Sequence, residues 1–264
     1  MTSALETAVV TGASSGIGSA YAEDLARRGY GIVLVARRQD RLAALAEKLR
    51  SNGAKQVDVL AADLAASSGL RKVEALLALR DDITLLVNSA GLGALGPTAQ
   101  TGPEEAERLV LVNVLALTRL SIAALQRFRS RNKGTLINIA SVIALGPSPT
   151  AAAYSGSKAY VLNFSRSLEQ EYAESAITVQ TILPGPVHSE FFAISGVTKP
   201  GMPEHLFMTP EQLVATAMKA LELKEAVCFP TLRDTALWNE FEGARKKFYK
   251  AVISTGEPAA RYKS

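Results

Sequence analysis

Tyr154 and Lys158 stand four residues apart in Tyr154-Ser155-Gly156-Ser157-Lys158, a spacing that puts a phenol and an ammonium on one face of a helix. A free phenol titrates at about 10, too high for efficient proton exchange at neutral pH. A neighbouring lysine cation favours the phenolate and is expected to lower that value. Such a pair suits a general acid that protonates a developing alkoxide, or a base that takes a proton from an alcohol. Ser141 precedes the tyrosine by 13 residues, just past an apolar run, where its hydroxyl can hydrogen-bond an oxygen that gains charge.

The other chemistry-bearing segment is Thr11-Gly12-Ala13-Ser14-Ser15-Gly16-Ile17-Gly18. Glycines at 12, 16 and 18 allow a sharp turn after a strand and let a pyrophosphate approach the N-terminus of the next helix. The second apolar run, Ile32–Ala36, ends in Arg37-Arg38 with no carboxylate at the junction. In a dinucleotide-binding fold an acid at that place hydrogen-bonds the 2′-hydroxyl of NAD, whereas arginine grips the 2′-phosphate of NADP. NADP(H) is therefore the expected cofactor. The expected reaction is hydride transfer between its nicotinamide and a carbonyl or alcohol, with Tyr154 exchanging the proton.

The elements that must position these groups follow from hydrophobic patterning. Strands are expected at Thr7–Thr11, Ile32–Ala36, Val57–Ala61, Ile83–Asn88, Thr135–Ala140, Thr178–Leu183 and Ala226–Phe229. They are apolar nearly throughout, as in a parallel sheet covered on both faces. Amphipathic stretches lie between them at Gly16–Arg28, Gln39–Ser51, Gly69–Arg80, Glu104–Arg129, Ala151–Ala173 and Pro210–Leu223. This alternation implies a doubly wound α/β fold in a single domain over residues 1–264. The irregular stretch at about 185–209 is expected to be a substrate lid, and a helical segment is expected at about 233–254.

Read in order, the glycine turn, Asn88-Ser89-Ala90-Gly91, Asn113, Ser141, the Tyr154/Lys158 pair and Pro184-Gly185 resemble the short-chain dehydrogenase/reductase family, in its single-domain branch. The resemblance implies a Rossmann fold with a seven-stranded parallel sheet. It also implies a catalytic set of Asn113, Ser141, Tyr154 and Lys158. By the same resemblance Lys158 also holds the nicotinamide ribose, and Asn113 anchors a water that links Lys158 to bulk solvent. The expected cofactor contacts are Gly12, Ser14, Ser15, Gly16, Ile17, Gly18, Arg37, Arg38, Asp63, Leu64, Asn88, Ala90, Gly91, Tyr154, Lys158, Pro184, Gly185, Val187 and Ser189. Asp63 matches an acid that contacts adenine. Ser89 and Ser189 depart from the family's usual Asn and Thr, and Ser189 keeps the hydroxyl.

Substrate choice is expected in Leu92–Pro97, Val142–Thr150 and Gly185–Thr209, which carry Leu95, Val142, Leu145, Phe191, Phe192, Leu206, Phe207 and Met208 with few charges. An apolar or amphipathic carbonyl compound fits them better than a small dicarboxylate. The helix at 104–129 and that at 151–173 are apolar on more than one face, and by family resemblance a homodimer or homotetramer is expected.

Composition narrows the alternatives. The 264 residues hold 29 Lys and Arg against 25 Asp and Glu, a net charge of +4. The single cysteine, Cys228, excludes an internal disulfide or a multi-cysteine zinc site, and is expected to be a buried, inert thiol. With only His188 and His205, no histidine-rich metal centre is expected. Basic clusters at 127–133 and 245–250 read as solvated helix ends instead of a nucleic-acid patch. No leader peptide and no membrane span are expected, so the protein is placed in the cytoplasm. The main alternative is a non-catalytic NADP(H)-binding sensor or scaffold of the same fold.

Overall fold

Seven strands form one parallel sheet in the computed structural model, which describes residues 5–195 and 201–263. They are β1 (Thr7–Thr11), β2 (Gly31–Ala36), β3 (Val57–Ala61), β4 (Ile83–Asn88), β5 (Gly134–Ile139), β6 (Ile177–Ile182) and β7 (Val227–Cys228), in the order β3-β2-β1-β4-β5-β6-β7. Six of the seven expected strands shift by at most a residue, because a run apolar on both faces has only one place in such a sheet. The seventh contracts from four residues to two.

Successive residues of each strand feed opposite layers. Val10, Leu34, Val87 and Ile137 pack with α1 (Gly16–Arg27), α2 (Gln39–Ser51) and α8 (Pro210–Glu222). Val9, Val33, Leu86 and Leu136 pack on the other side, with α3 (Ser67–Leu79), α5 (Leu117–Arg131) and α6 (Ala152–Glu171). The order reverses between β1 and β4, which opens a crevice at the carboxyl edge of the sheet where an α/β fold binds its ligand.

The long fourth helix departs from a uniform α-helix. It runs as α4 (Pro103–Val110), widens to π geometry over Leu111–Ala116, and continues as α5. Taken whole, Pro103–Arg131 is long and apolar enough to cross a bilayer by length and composition, which corrects the expectation that no such segment exists. Half of its most apolar window is buried in the protein. Leu109, Ala116 and Leu120 face inward, while Val110, Leu115 and Ile122 are exposed.

Residues up to Pro230 form one compact unit that contains the whole sheet. The segment from Thr231 onward forms a second, built from α9 (Ala236–Val252) and a short 3₁₀ turn. The basic cluster at 127–133 is committed to the fold: Arg127 pairs with Asp81, Arg131 donates to the carbonyl oxygens of Asp81 and Ile83, and Lys133 pairs with Glu6. Of the expected lid, α7 (Phe191–Ile194) and a 3₁₀ turn at Glu204–Leu206 are defined, and residues 196–200 lie outside the described residues. The lid base is closed by backbone bonds from His188 N to Met208 O and from Met208 N to Pro186 O.

Candidate active site

The turn after β1 is shaped by close backbone approach. Gly12 has φ +68°, and a Cβ there would stand 2.9 Å from the Ala90 backbone; a Cβ on Gly18 would fall on the Gly12 carbonyl oxygen. Only glycine allows α1 to start this close to β4. A cavity opens in front of that helix end, and its wall includes Gly12, Ser14, Ser15, Gly16, Ile17, Gly18, Arg37, Arg38, Asp63, Leu64, Ala90, Gly91 and Ser189. A backbone cradle at a helix N-terminus, with two arginines at one end, fits a dinucleotide pyrophosphate and an additional phosphate.

Asp63, just past β3, accepts from Ala65 N at 3.1 Å and from Arg108 Nη2 at 2.7 Å. Burial raises its carboxyl, but the Arg108 and Ala65 hydrogen bonds, with the charges of Arg108 and Arg37, hold it below the usual range. It is thus an ionised acceptor on the cavity wall.

Ser141, Tyr154 and Lys158 converge from the end of β5 and the first turns of α6. The Ser141 hydroxyl stands by the Tyr154 phenol and lowers its value; it donates to the Pro184 carbonyl oxygen at 3.5 Å and accepts from Ile143 N at 3.3 Å at the start of a 3₁₀ turn. Lys158 is buried, donating from Nζ to the Ile139 carbonyl oxygen at 2.8 Å. It lies at the Gly91 edge of the cavity, 3.6 Å from where a Gly91 Cβ would stand. Its ammonium is 5.8 Å from the Tyr154 ring centroid.

The electrostatics reverse the expected direction. Burial pushes Tyr154 up to about 12, and the Ser141 hydrogen bond lowers it only in part. Burial likewise brings Lys158 down to about 8. Desolvation dominates both shifts, and the hydrogen bond of the ammonium goes to the Ile139 carbonyl oxygen. The tyrosine is a protonated acid at neutral pH.

Asn113 sits in the π segment, where an extra residue per turn re-aims its side chain. Its Oδ1 accepts from Leu92 N and its Nδ2 donates to Leu92 O, both at 2.8 Å, and Nδ2 also reaches Ser157 Oγ at 3.1 Å. Ser157 in turn donates to the Tyr154 carbonyl oxygen at 2.7 Å. Asn113 thereby ties the loop after β4 to the turn that carries Tyr154.

The Asn88 side chain donates to Ser121 and Asn138 in a buried network between β4, β5 and the covering helices, away from the cavity wall. Pro184 offers its carbonyl oxygen to Val142 N, Gly185 has open space where a Cβ would stand, and Val187 is buried in a bridge to Met208. His188 is stacked on Phe207 and paired with Glu204 at 3.2 Å. Cys228 is buried, and desolvation pushes its thiol up to about 12, as an inert thiol requires.

The lid brings three of the expected substrate-side aromatics together. Phe191 lies 5.2 Å from the Tyr154 ring and continues into an aromatic row through Phe192 and Phe207. A Cβ on Gly93 would stand 2.6 Å from Phe191 Cζ and strike the Ser195 side chain, so Gly93 is the seat on which the lid helix docks.

Residues 6–196 match the family model for short chain dehydrogenase. The chain belongs to the short-chain dehydrogenase family. Among curated relatives it is 32% identical over 221 residues to the very-long-chain 3-oxoacyl-CoA reductase-B of Danio rerio, covering 82% of this chain and 69% of that protein. It is 38% identical over 201 residues to the inactive hydroxysteroid dehydrogenase-like protein 1 of Rattus norvegicus, covering 74% and 58%. Among solved structures, a short-chain dehydrogenase from Sphingobium yanoikuyae in complex with NADPH shares 38% identity and a TM-score of 0.93 over 98% of this chain and all of that one. A bulky-bulky ketone specific alcohol dehydrogenase from Comamonas testosteroni shares 36% identity and a TM-score of 0.89 over 98% and 99%.

Proposed function

We propose that the protein is an NADP(H)-dependent oxidoreductase acting on the carbonyl, or the corresponding secondary alcohol, of an apolar or amphipathic substrate. The observation that carries this reading is the grouping of Ser141, Tyr154 and buried Lys158 next to the cavity in front of the glycine turn, where Tyr154 adjoins Phe191 and Lys158 adjoins Gly91 of its wall. Arg37 and Arg38 at the cavity end support the 2′-phosphate form, as does the NADPH held by the Sphingobium relative. The aromatic row on the lid supports a bulky apolar substrate, in keeping with the names of the Comamonas and Danio relatives.

When bound, the nicotinamide supplies or takes up the hydride. The glycine turn and Asp63 would hold its phosphates and adenosine, and Lys158 would hold its ribose. Tyr154, held protonated, delivers its proton to the carbonyl oxygen as that oxygen becomes an alkoxide. Ser141 orients the phenol and hydrogen-bonds the same oxygen. A phenol with a value near 12 is protonated at neutral pH, the form from which a carbonyl oxygen would take its proton.

A second reading, dinucleotide binding without turnover, is favoured by the name of the Rattus relative. The test is NADPH oxidation measured with a panel of hydrophobic ketones, aldehydes and 3-oxoacyl compounds. Turnover with bulky apolar ketones supports the reductase. Tight NADPH binding with no oxidation of any compound supports the second reading.

A further inference from the structure

Arg38 is folded back into the cofactor cavity. It donates to the Ser14 hydroxyl from Nε and Nη2 at 3.3 and 3.0 Å, to Ser15 from Nη2 at 2.9 Å, and to Glu190 Oε2 from Nη1 at 2.9 Å. Glu190 comes from the lid, immediately before α7, and borders the same cavity. Both of its oxygens also accept from Arg41 Nη1, at 2.6 and 2.8 Å. A lid carboxylate therefore occupies one edge of the guanidinium fork that a phosphate needs.

Building on the NADP(H) reading above, we propose that Glu190 is a cofactor-specificity residue whose carboxylate competes with the 2′-phosphate for Arg38. A dianion arriving beside Ser14 and Ser15 meets a guanidinium already engaged through Nη1, with a negative charge alongside it. Entry requires Nη1 to release Glu190, which Arg41 retains through both oxygens. NADH carries no phosphate at that position and is indifferent to the exchange. Glu190 thus restrains the preference that Arg37 and Arg38 create, and links the lid to the occupancy of the phosphate position.

The test is calorimetric titration of the full chain with NADPH and with NADH, comparing wild type with Glu190→Gln. An exposed ion pair of this kind changes an equilibrium by a small factor. The variant is expected to bind NADPH about two- to fivefold more tightly and NADH unchanged, with the gain shrinking at high salt as screening replaces it. Unchanged or weaker NADPH binding, or an equal change for both dinucleotides, overturns the proposal; the last result makes Glu190 a general lid clamp. A wild-type protein that binds neither dinucleotide overturns the cofactor reading itself, and this proposal with it.

Discussion

The Lys158 ammonium lies 5.8 Å from the centroid of the Tyr154 ring and gives its hydrogen bond to the Ile139 carbonyl oxygen. The lysine is held by the sheet edge, and its charge is costly because it is buried. Its folded-state value, about 8, is below the 10.5 expected for an unfolded chain. The unfolded state therefore binds more protons in that window, and stability must rise with pH between about 8 and 10.5. At 1.36 kcal/mol per pH unit the full effect is about 3 kcal/mol. Urea denaturation across this range should show wild type gaining on Lys158→Met. A pH-independent difference between the two would mean that Lys158 is not a desolvated cation.

Asn113 is predicted to be a positioning residue as much as a chemical one. Truncation to alanine leaves the Leu92 N–H and C=O without their partner inside the fold. Leu92 is half-buried, so each unpaired group costs less than the full penalty of a buried one, and a loss of about 1–3 kcal/mol is expected in equilibrium unfolding. A loss under 0.5 kcal/mol would show that water replaces the side chain freely.

Gly93→Ala places a methyl group where Phe191 Cζ and the Ser195 side chain now sit. Lid and core are then predicted to respond separately. Amides at 191–195 should exchange with deuterium faster, while the thermal midpoint of the sheet unit moves little. Unchanged exchange in that segment would show that the lid helix does not depend on this seat.

Val110, Leu115 and Ile122 are exposed on one long helix and Tyr160 on α6. Light scattering at micromolar concentration is predicted to give a dimer or tetramer, and charged substitution of Leu115 and Ile122 together should lower the mass. A wild-type monomer would remove the oligomeric reading.

The legible part of this protein was the part governed by local pattern. Strands such as Ile83–Asn88 could be placed because an unbroken apolar run has one home in a parallel sheet. The glycine turn was readable because a backbone this close to Ala90 admits no side chain. Relationships set by tertiary distance were hidden. Arg38 and Glu190 are 152 positions apart, and neither residue type announces the other. The Tyr154 shift runs opposite to the helix-spacing expectation for a related reason. Spacing on a helix indicates proximity to Lys158, but not that desolvation exceeds the attraction or that Ile139 has captured the ammonium. The π segment around Asn113 had no composition signal, since Leu111–Ala116 reads as ordinary helix.

Tyr154 is the proton donor of the proposed reaction, and Tyr154→Phe removes that one hydroxyl while keeping the ring that packs against Phe191. The decisive measurement is NADPH oxidation by this variant against a bulky apolar ketone turned over by wild type, with NADPH affinity measured on the same preparation. Unchanged affinity is expected, with a rate lower by at least about 10²-fold, the scale of general acid catalysis. Near-wild-type turnover with intact NADPH binding would contradict it.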